Sequence, residues 1–350
     1  TNAHVIFLIY QCWGKRGTVF RLTNLREQWS DELLNTIREN LSSLIPYELS
    51  SVYKIYCFGN NNTEKDAEVF SDLDAFSYDY KIEFKVLDNS EVKVKLWRNE
   101  FEFGQNEVIV LQKMALLEEK EYFYNMPKEG TYSFQDIVPK VSDRERKKLG
   151  VFRGVLYFAK KSQTKRDRER FYQKDITGRI DIRDSFGGIK LYRDNFRVRP
   201  YGDPKSSAYD WLQLSRRKAG VASKGVWRVN ADQMLGSIFI SRMNVALPDQ
   251  SNREGIVETP EFRLLQEFLK GILEILEKDR QYVMRKLAEL YDGEHPVEKI
   301  QNEINRKVEK QEEINKKIKS KNFTEEQKQS LLEKHESVNA TDAKAALDAK

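Results

Sequence analysis

The chain has 350 residues, and 60 Lys and Arg against 55 Asp and Glu give a formal charge of +5. Charged residues make up 33% and hydrophobic residues 39%, and no run approaches the ~20 apolar residues of a spanning helix, so no membrane partner is expected. The 19 Phe, 16 Tyr and 5 Trp exclude a wholly disordered chain, whereas 2 Cys and 3 His are too few for a disulfide framework or a Cys/His zinc site. A reducing, cytoplasmic setting and no metal centre are the expectations.

The chain opens at once on an apolar run, Val5 to Tyr10, which reads as a buried strand. It has no initiator Met and no leader signature, so further sequence is expected upstream. A Gly-bearing turn, Gly14 to Gly17, precedes a second strand from Thr18 to Thr23, giving a hairpin. Ser30 then caps a helix whose first turn carries Asp31 and Glu32, where the helix dipole favours acids. Leu33, Leu34, Ile37, Leu41, Leu44 and Ile45 form its apolar face, and Pro46 ends it. A strand over 51–58 completes a β-β-α-β order.

Alternation over 80–86 and 92–96, around the turn Asp88-Asn89-Ser90, predicts a hairpin with one apolar and one charged face. Residues 99–150 show no clear pattern, and 151–158 reads as a strand. The basic run Lys160 to Arg170 has no regular aromatic interleaving, so a solvated face is read ahead of the alternative, phosphate contact with DNA. Gly187-Gly188 leads into a strand over 189–193; Asp194-Asn195 turns the chain, and 196–201 returns. Tyr192, Phe196 and Tyr201 are expected to pack in the sheet. A further strand covers 235–241.

Thr259 and Pro260 start a long helix with Phe262, Leu265, Leu269, Ile272 and Leu276 on its apolar face. The pattern continues through Val283, Leu287 and Leu290 to Gly293. After Pro296 the chain turns to Glu, Lys, Gln and Asn, with a narrow stripe from Ile300 to Ile318 and a capping box at Thr324 to Gln327. A helical hairpin or coiled-coil arm is expected there. No Walker-type loop is present, because Val226 and Trp227 follow Gly220 to Gly225 where Lys and Ser/Thr are needed. There is no Gly-x-Ser-x-Gly elbow, and His4, His295 and His335 are scattered.

Gly17-Thr18, opening a strand after a strand and followed by Leu25 to Ser30 and an amphipathic helix, resembles the end of the ATP-binding domain in GHKL ATPases. That superfamily includes gyrase B subunits, MutL, the large heat-shock chaperone, histidine kinases and the Microrchidia proteins. Gly187 to Gly202 resembles the strand pair of the family's second, transducer domain. Asp210-Trp211-Leu212 with Arg216-Arg217-Lys218 lies where the family carries its basic loop. Leu235 to Ile240, then Asn252 to Gly255, resembles its late strand and Asn-Arg-Glu-type segment. The resemblance spans Val5 to Leu276. The family's magnesium-binding Asn motif and its two glycine motifs do not occur in this sequence.

The resemblance implies an α+β fold, with a mixed transducer sheet of βαβ crossover type followed by a helical or coiled-coil tail. It divides the chain into 1–50, the trailing edge of an ATP-binding domain; 51–258, the transducer; and 259–350, the long helix and arm. It implies ATP and Mg2+ as cofactors of the intact protein, with none expected to bind this chain alone. Gly17 and Thr18 are then the nucleotide-contacting remnant, and Arg216, Arg217, Lys218 and Lys224 are candidates for the cation that reaches the γ-phosphate. Arg253 is expected to pin a loop. A homodimer acting on DNA or a partner protein, in prokaryotic defence or DNA maintenance, is the implied assembly. The alternative is a non-enzymatic interaction module that assembles a complex through its coiled-coil arm.

Overall fold

The computed structural model describes residues 5–11, 16–23, 29–42, 53–58, 77–102, 127–179, 187–219, 227–251 and 255–297, with isolated positions between and beyond them. The chain forms two compact units, Thr1–Val283 and Met284–Lys350. The fold is α+β.

The first unit contains two sheets. In the smaller, β1 (Val5–Gln11) pairs antiparallel with both β2 (Arg16–Leu22) and β3 (Tyr53–Phe58). The expected hairpin forms, and the sheet takes its third strand from beyond residue 50. Helix α1 (Asp31–Ser42) starts at Ser30, whose hydroxyl accepts the Leu33 N–H at 3.2 Å. Its inner face is narrower than the sequence predicts. Leu34 is buried beside Cys57, with Trp29, Ile37 and Leu41 around them, whereas Leu33 and Leu44 are exposed. The helix stops at Ser42, so Leu44 lies past its end and Leu33 on its outer side.

The larger sheet has seven strands in the order β6-β5-β4-β7-β10-β8-β9. They are β4 (Tyr80–Val86), β5 (Glu91–Arg98), β6 (Lys128–Ser133), β7 (Phe152–Phe158), β8 (Gly188–Arg193), β9 (Phe196–Val198) and β10 (Met234–Ile240). Every pairing is antiparallel except β8 with β10, which is parallel and therefore needs a crossover. That crossover carries α5 (Leu214–Ala219), the helix with the basic cluster, and a 3-10 turn at Ala231–Gln233. Within the stretch that gave no pattern lie β6 and two short helices, α2 (Phe134–Ile137) and α3 (Asp143–Leu149), each capped by a serine in a capping box. The basic run forms a turn and helix α4 (Lys165–Arg170).

The last helix, α6 (Pro260–Glu294), begins as predicted, with the Thr259 hydroxyl accepting the Phe262 N–H at 3.1 Å. Phe262, Leu265, Leu269, Ile272 and Leu276 are all buried. They pack against the face of the large sheet formed by Tyr80, Ile82 and Phe84 of β4, Val92, Val94 and Leu96 of β5, and Phe152 and Leu156 of β7. Phe268 sits at the centre, with ring centroids 4.7 Å from Phe134, 5.0 Å from Phe152 and 5.6 Å from Phe84. Truncation of such a ring costs about 3–5 kcal/mol in transfer and cavity terms. In the second unit, Tyr291 and His295 stack at 4.1 Å. Of the expected stripe, Ile300 and Val308 are exposed and Ile304 is half-buried, whereas Ile314, Ile318 and the Thr324 capping box lie outside the described residues.

Tyr192 and Tyr201 are buried as expected, but Phe196 is not: it is 80% exposed. Asp194 and Asn195 turn the chain with φ of 47° and 72°, and β9 is only three residues long. Phe196 pairs with Arg193 beyond the end of the core, so no element covers it.

Candidate functional site

Two glycines begin the positioning of the basic cluster. Gly188 has φ +90°, and a Cβ there would lie 2.5 Å from the Gly202 carbonyl oxygen. Gly202 has φ +64°, and its Cβ would lie 2.3 Å from the Ile189 oxygen. Only glycine permits both the backbone conformation and the approach. The segment after β9 is thus pressed against the start of β8, where Trp211 donates its Nε1–H to the Ile189 carbonyl at 2.8 Å. The Trp211 ring stacks on Phe262 of α6 at 5.7 Å, and Gln266 of α6 donates to the Trp211 carbonyl at 2.9 Å. Asp210 then accepts the Leu214 and Ser215 N–H groups at 2.7 and 2.9 Å and starts α5. The Asp-Trp-Leu segment therefore fixes where the basic helix begins.

Helix α5 separates the three cations that the sequence groups. Arg217 makes two parallel 2.8 Å hydrogen bonds to the Glu277 carboxylate on α6. Arg216 is exposed and Lys218 half-buried, and neither makes an ion pair among the described residues. Glu277 is 4% exposed and also accepts the Val229 N–H at 2.9 Å and the Arg228 guanidinium at 2.8 Å. One buried carboxylate thus holds Arg217 before, and Arg228 and Val229 after, the segment 220–226. Arg280 of α6 adds a contact at the same base, 5.8 Å from the Trp227 ring centroid. Lys224 lies within 220–226, outside the described residues, as does Arg253.

The next residues of α6 continue the pattern. Asp279 accepts two bonds from Arg98, at 2.7 and 2.6 Å, with Lys128 3.5 Å away. Arg280 donates to Glu100 at 2.6 and 2.7 Å. Glu100 also accepts from the Gln173 side-chain amide at 2.8 Å, and the Gln173 Oε1 accepts from the Lys160 ammonium. Asp79 accepts the Lys160 N–H at 2.6 Å and Arg179 at 2.8 Å. Burial, reinforced by the negative charge of Glu100, pushes the Asp79 carboxyl up, against the pull of Lys160 and Arg179. Burial pushes the ammonium groups of Lys160 and Lys128 down, each opposed by a nearby carboxylate, and drives the Tyr80 phenol well up.

Buried charges paired bidentately add positional specificity more than stability. Glu277, Asp279 and Arg280 together tie one turn of α6 to the crossover, to the end of β5 and to Glu100. None was singled out by sequence reasoning. The available signal was position: 277 and 280 fall on the helical stripe that runs from Leu276 to Val283, where apolar residues are expected.

A cleft of about 640 Å3 opens beside this turn between β5, β6 and α6. Its lining mixes Lys128 and Lys278 with Glu129, Asp136, Glu274 and Asp279, the last already paired with Arg98 and Lys128, so no cluster of like cations awaits a phosphate there. Gly17 and Thr18 lie in β2, paired with Tyr10 and Ile9. No hydrogen bond or ion pair joins Thr18 to α5 among the described residues. The basic run is largely committed locally: Lys161 pairs with Asp232 at 3.1 Å, Arg168 with Asp175 at 2.5 Å and Lys165 with Glu169 at 3.9 Å. Among the described residues, no cluster of His, Cys, Asp and Glu could hold a metal ion, and no helix is long and apolar enough to cross a membrane. No family model matches the chain, and no curated protein matches it.

Proposed function

We propose that this chain is the transducer and helical arm of an ATP-dependent, dimerising ATPase of the GHKL type, coupling nucleotide state to movement on a nucleic-acid or protein client in the cytoplasm. In this reading ATP and Mg2+ bind in the GHKL domain, of which the first 50 residues are the trailing edge, with Gly17 and Thr18 its contribution here. Lys224, Lys218 and Arg216 are the cations available to the γ-phosphate, where a positive charge neutralises the transferring phosphoryl group. Arg217 serves as the anchor of that loop.

The observation that carries the reading is the grip of Glu277 on both flanks of 220–226. A loop that senses a phosphate must transmit its position, and a carboxylate on the long helix that holds both of its bases supplies that coupling. Movement of the loop would then bias the helix and, through it, the arm, as a rigid-body switch requires.

The test is ATP turnover by the intact protein. Lys224→Ala or Lys218→Ala should lower the turnover number by roughly a hundredfold if that residue touches the developing charge. If Lys224→Ala, Lys218→Ala and Arg216→Ala all turn over ATP at the parental rate, the sensor assignment fails. An intact protein that neither binds nor hydrolyses ATP would favour the interaction module.

A further inference from the structure

A shallow cleft of about 330 Å3 opens at the end of the large sheet where β4 finishes and β7 starts. Phe84 and Phe152 turn towards α6, with ring centroids 5.6 and 5.0 Å from Phe268. Side chains alternate along a strand, so Lys85 and Arg153, the next residues, face the other way. There both line the cleft and are exposed. Strand register sets them directly opposite each other, with Lys93 of β5 opposite Lys85 in turn. Like charges so placed repel. Neither Lys85 nor Arg153 makes an ion pair among the described residues. Elsewhere on this face the cations are matched: Lys95 meets Glu129 at 2.6 Å, and Lys81 meets Glu83 at 2.6 Å.

Arg153 is also held in place. Its guanidinium lies 3.9 Å from the ring centroid of Phe239, its register partner on β10. Stacking on a ring fixes the guanidinium plane and leaves its N–H edge free for a bidentate acceptor. Asp194, the acid in the lining, is already committed. It accepts the Arg242 N–H at 3.2 Å and lies 3.3 Å from the Arg242 guanidinium. The cleft thus presents two cations that no carboxylate among the described residues neutralises. Ser241 lies in the same lining, and its Oγ accepts the Met243 N–H at 3.1 Å, which leaves its hydroxyl proton to donate.

We infer that this cleft binds a phosphate group, with its oxygens on the Arg153 guanidinium edge, the Lys85 ammonium and the Ser241 hydroxyl. A phosphate dianion matches two cations in charge, and the guanidinium edge suits two of its oxygens. A carboxylate carries half that charge, and a neutral ligand would leave both cations unmet. The volume lies near the low end for small-molecule pockets, which suits the free ion or a small phosphomonoester. The site is separate from the γ-phosphate contacts proposed above. Arg228 and Val229 precede β10 (Met234–Ile240), whereas the cleft lies at the far end of that strand, which alone spans about 20 Å. The inference goes beyond the ATPase reading and does not depend on it.

The test is isothermal titration calorimetry of the full chain at low salt with inorganic phosphate and, separately, glycerol 3-phosphate. Both should bind, and more weakly as pH falls through about 6, where a phosphomonoester dianion takes up a proton. Arg153→Met and Lys85→Met keep an unbranched stem and should each weaken binding at least about tenfold, the scale of one charge-assisted hydrogen bond. Lys81→Met, on the same face but at a cation already paired with Glu83, should bind as the parent does. Thermal unfolding of each variant confirms that it is folded. Tighter binding of the ester assigns an organic phosphate as the ligand, and tighter binding of the free ion assigns inorganic phosphate. The inference is overturned if the chain takes up neither probe, if the Arg153 and Lys85 variants bind as the parent does, or if acetate binds as tightly as phosphate.

Discussion

Arg217 and Glu277, 60 residues apart, meet through two parallel hydrogen bonds of 2.8 Å in a site where the carboxylate is 5% and the guanidinium 16% exposed. The same carboxylate receives Arg228 and the Val229 N–H, so it joins the two flanks of a short basic segment to the long helix. Of the cations clustered at 216–218, the one with the strongest geometric commitment is therefore structural. Its neighbours Arg216 and Lys218 make no ion pair among the described residues.

Removing the carboxylate leaves the Arg217 guanidinium and the Val229 N–H without this partner and largely out of water, and leaves Arg228 only Glu274, at 3.7 Å. Glu277→Ala should cost about 3–5 kcal/mol in urea unfolding, the usual penalty for breaking a buried pair from one side. Arg217→Met should cost less, because Glu277 keeps Arg228 and Val229. Equal costs for the two variants would refute the shared anchor.

Gly202→Ala tests how the crossover is positioned. A methyl group 2.3 Å from the Ile189 oxygen, on a residue with φ +64°, has to displace backbone. Destabilisation of more than about 2 kcal/mol is expected, together with a red-shifted emission of Trp211, whose Nε1–H loses Ile189 as partner. Gly178→Ala is the control for the strain of φ alone, since it has φ +79° with nothing within 4 Å of its Cβ.

Local signals carried most of the architecture. Ser30 and Thr259 mark helix starts, and the alternation in 80–86 and 92–96 reads directly as a hairpin, because caps and period-two patterns depend on neighbours in sequence. The spacing of Phe262, Leu265, Leu269, Ile272 and Leu276 gave the buried face of α6 correctly. The carboxylate anchor was not legible in the same way. Arg280 and Glu100 are 180 residues apart, as are Arg98 and Asp279 within one residue, and no local rule pairs them. Phe196 was misread because its apolar character implies burial only where an element lies over it, and the sheet ends there.

Asp79 should impart a distinctive pH dependence. Its folded-state value is raised, so in the range above the free-carboxyl value the folded chain binds more proton than the unfolded chain. The contribution to stability is therefore present in acid and is lost as pH rises from about 4 through the folded-state value. Asp79→Asn should flatten that decline in unfolding free energy against pH. A parent whose stability instead rises across the same interval, by an amount the variant abolishes, would show the carboxyl to be depressed.

The Tyr80 hydroxyl is fully buried with no hydrogen-bond partner among the described residues. Tyr80→Phe keeps the ring, including its edge contact with Phe101 at 6.3 Å, and removes the unmet polar group. The variant should be more stable by about 1 kcal/mol, seen as a higher urea midpoint at unchanged slope. A loss of that size would mean that the hydroxyl has a partner in solution.

Lys85→Glu tests whether the row of three cations costs the sheet stability. The parent aligns Lys85 between Lys93 and Arg153, whereas the variant places an acid between two cations. Opposite charges across neighbouring strands are favourable by a few tenths of a kcal/mol after solvent screening, so the variant should unfold at a slightly higher temperature than the parent. A gain would show that the sheet does not need a cation at this place, since Lys85 faces Lys93 on one side and Arg153 on the other. A less stable variant would instead assign Lys85 a role in holding the sheet together.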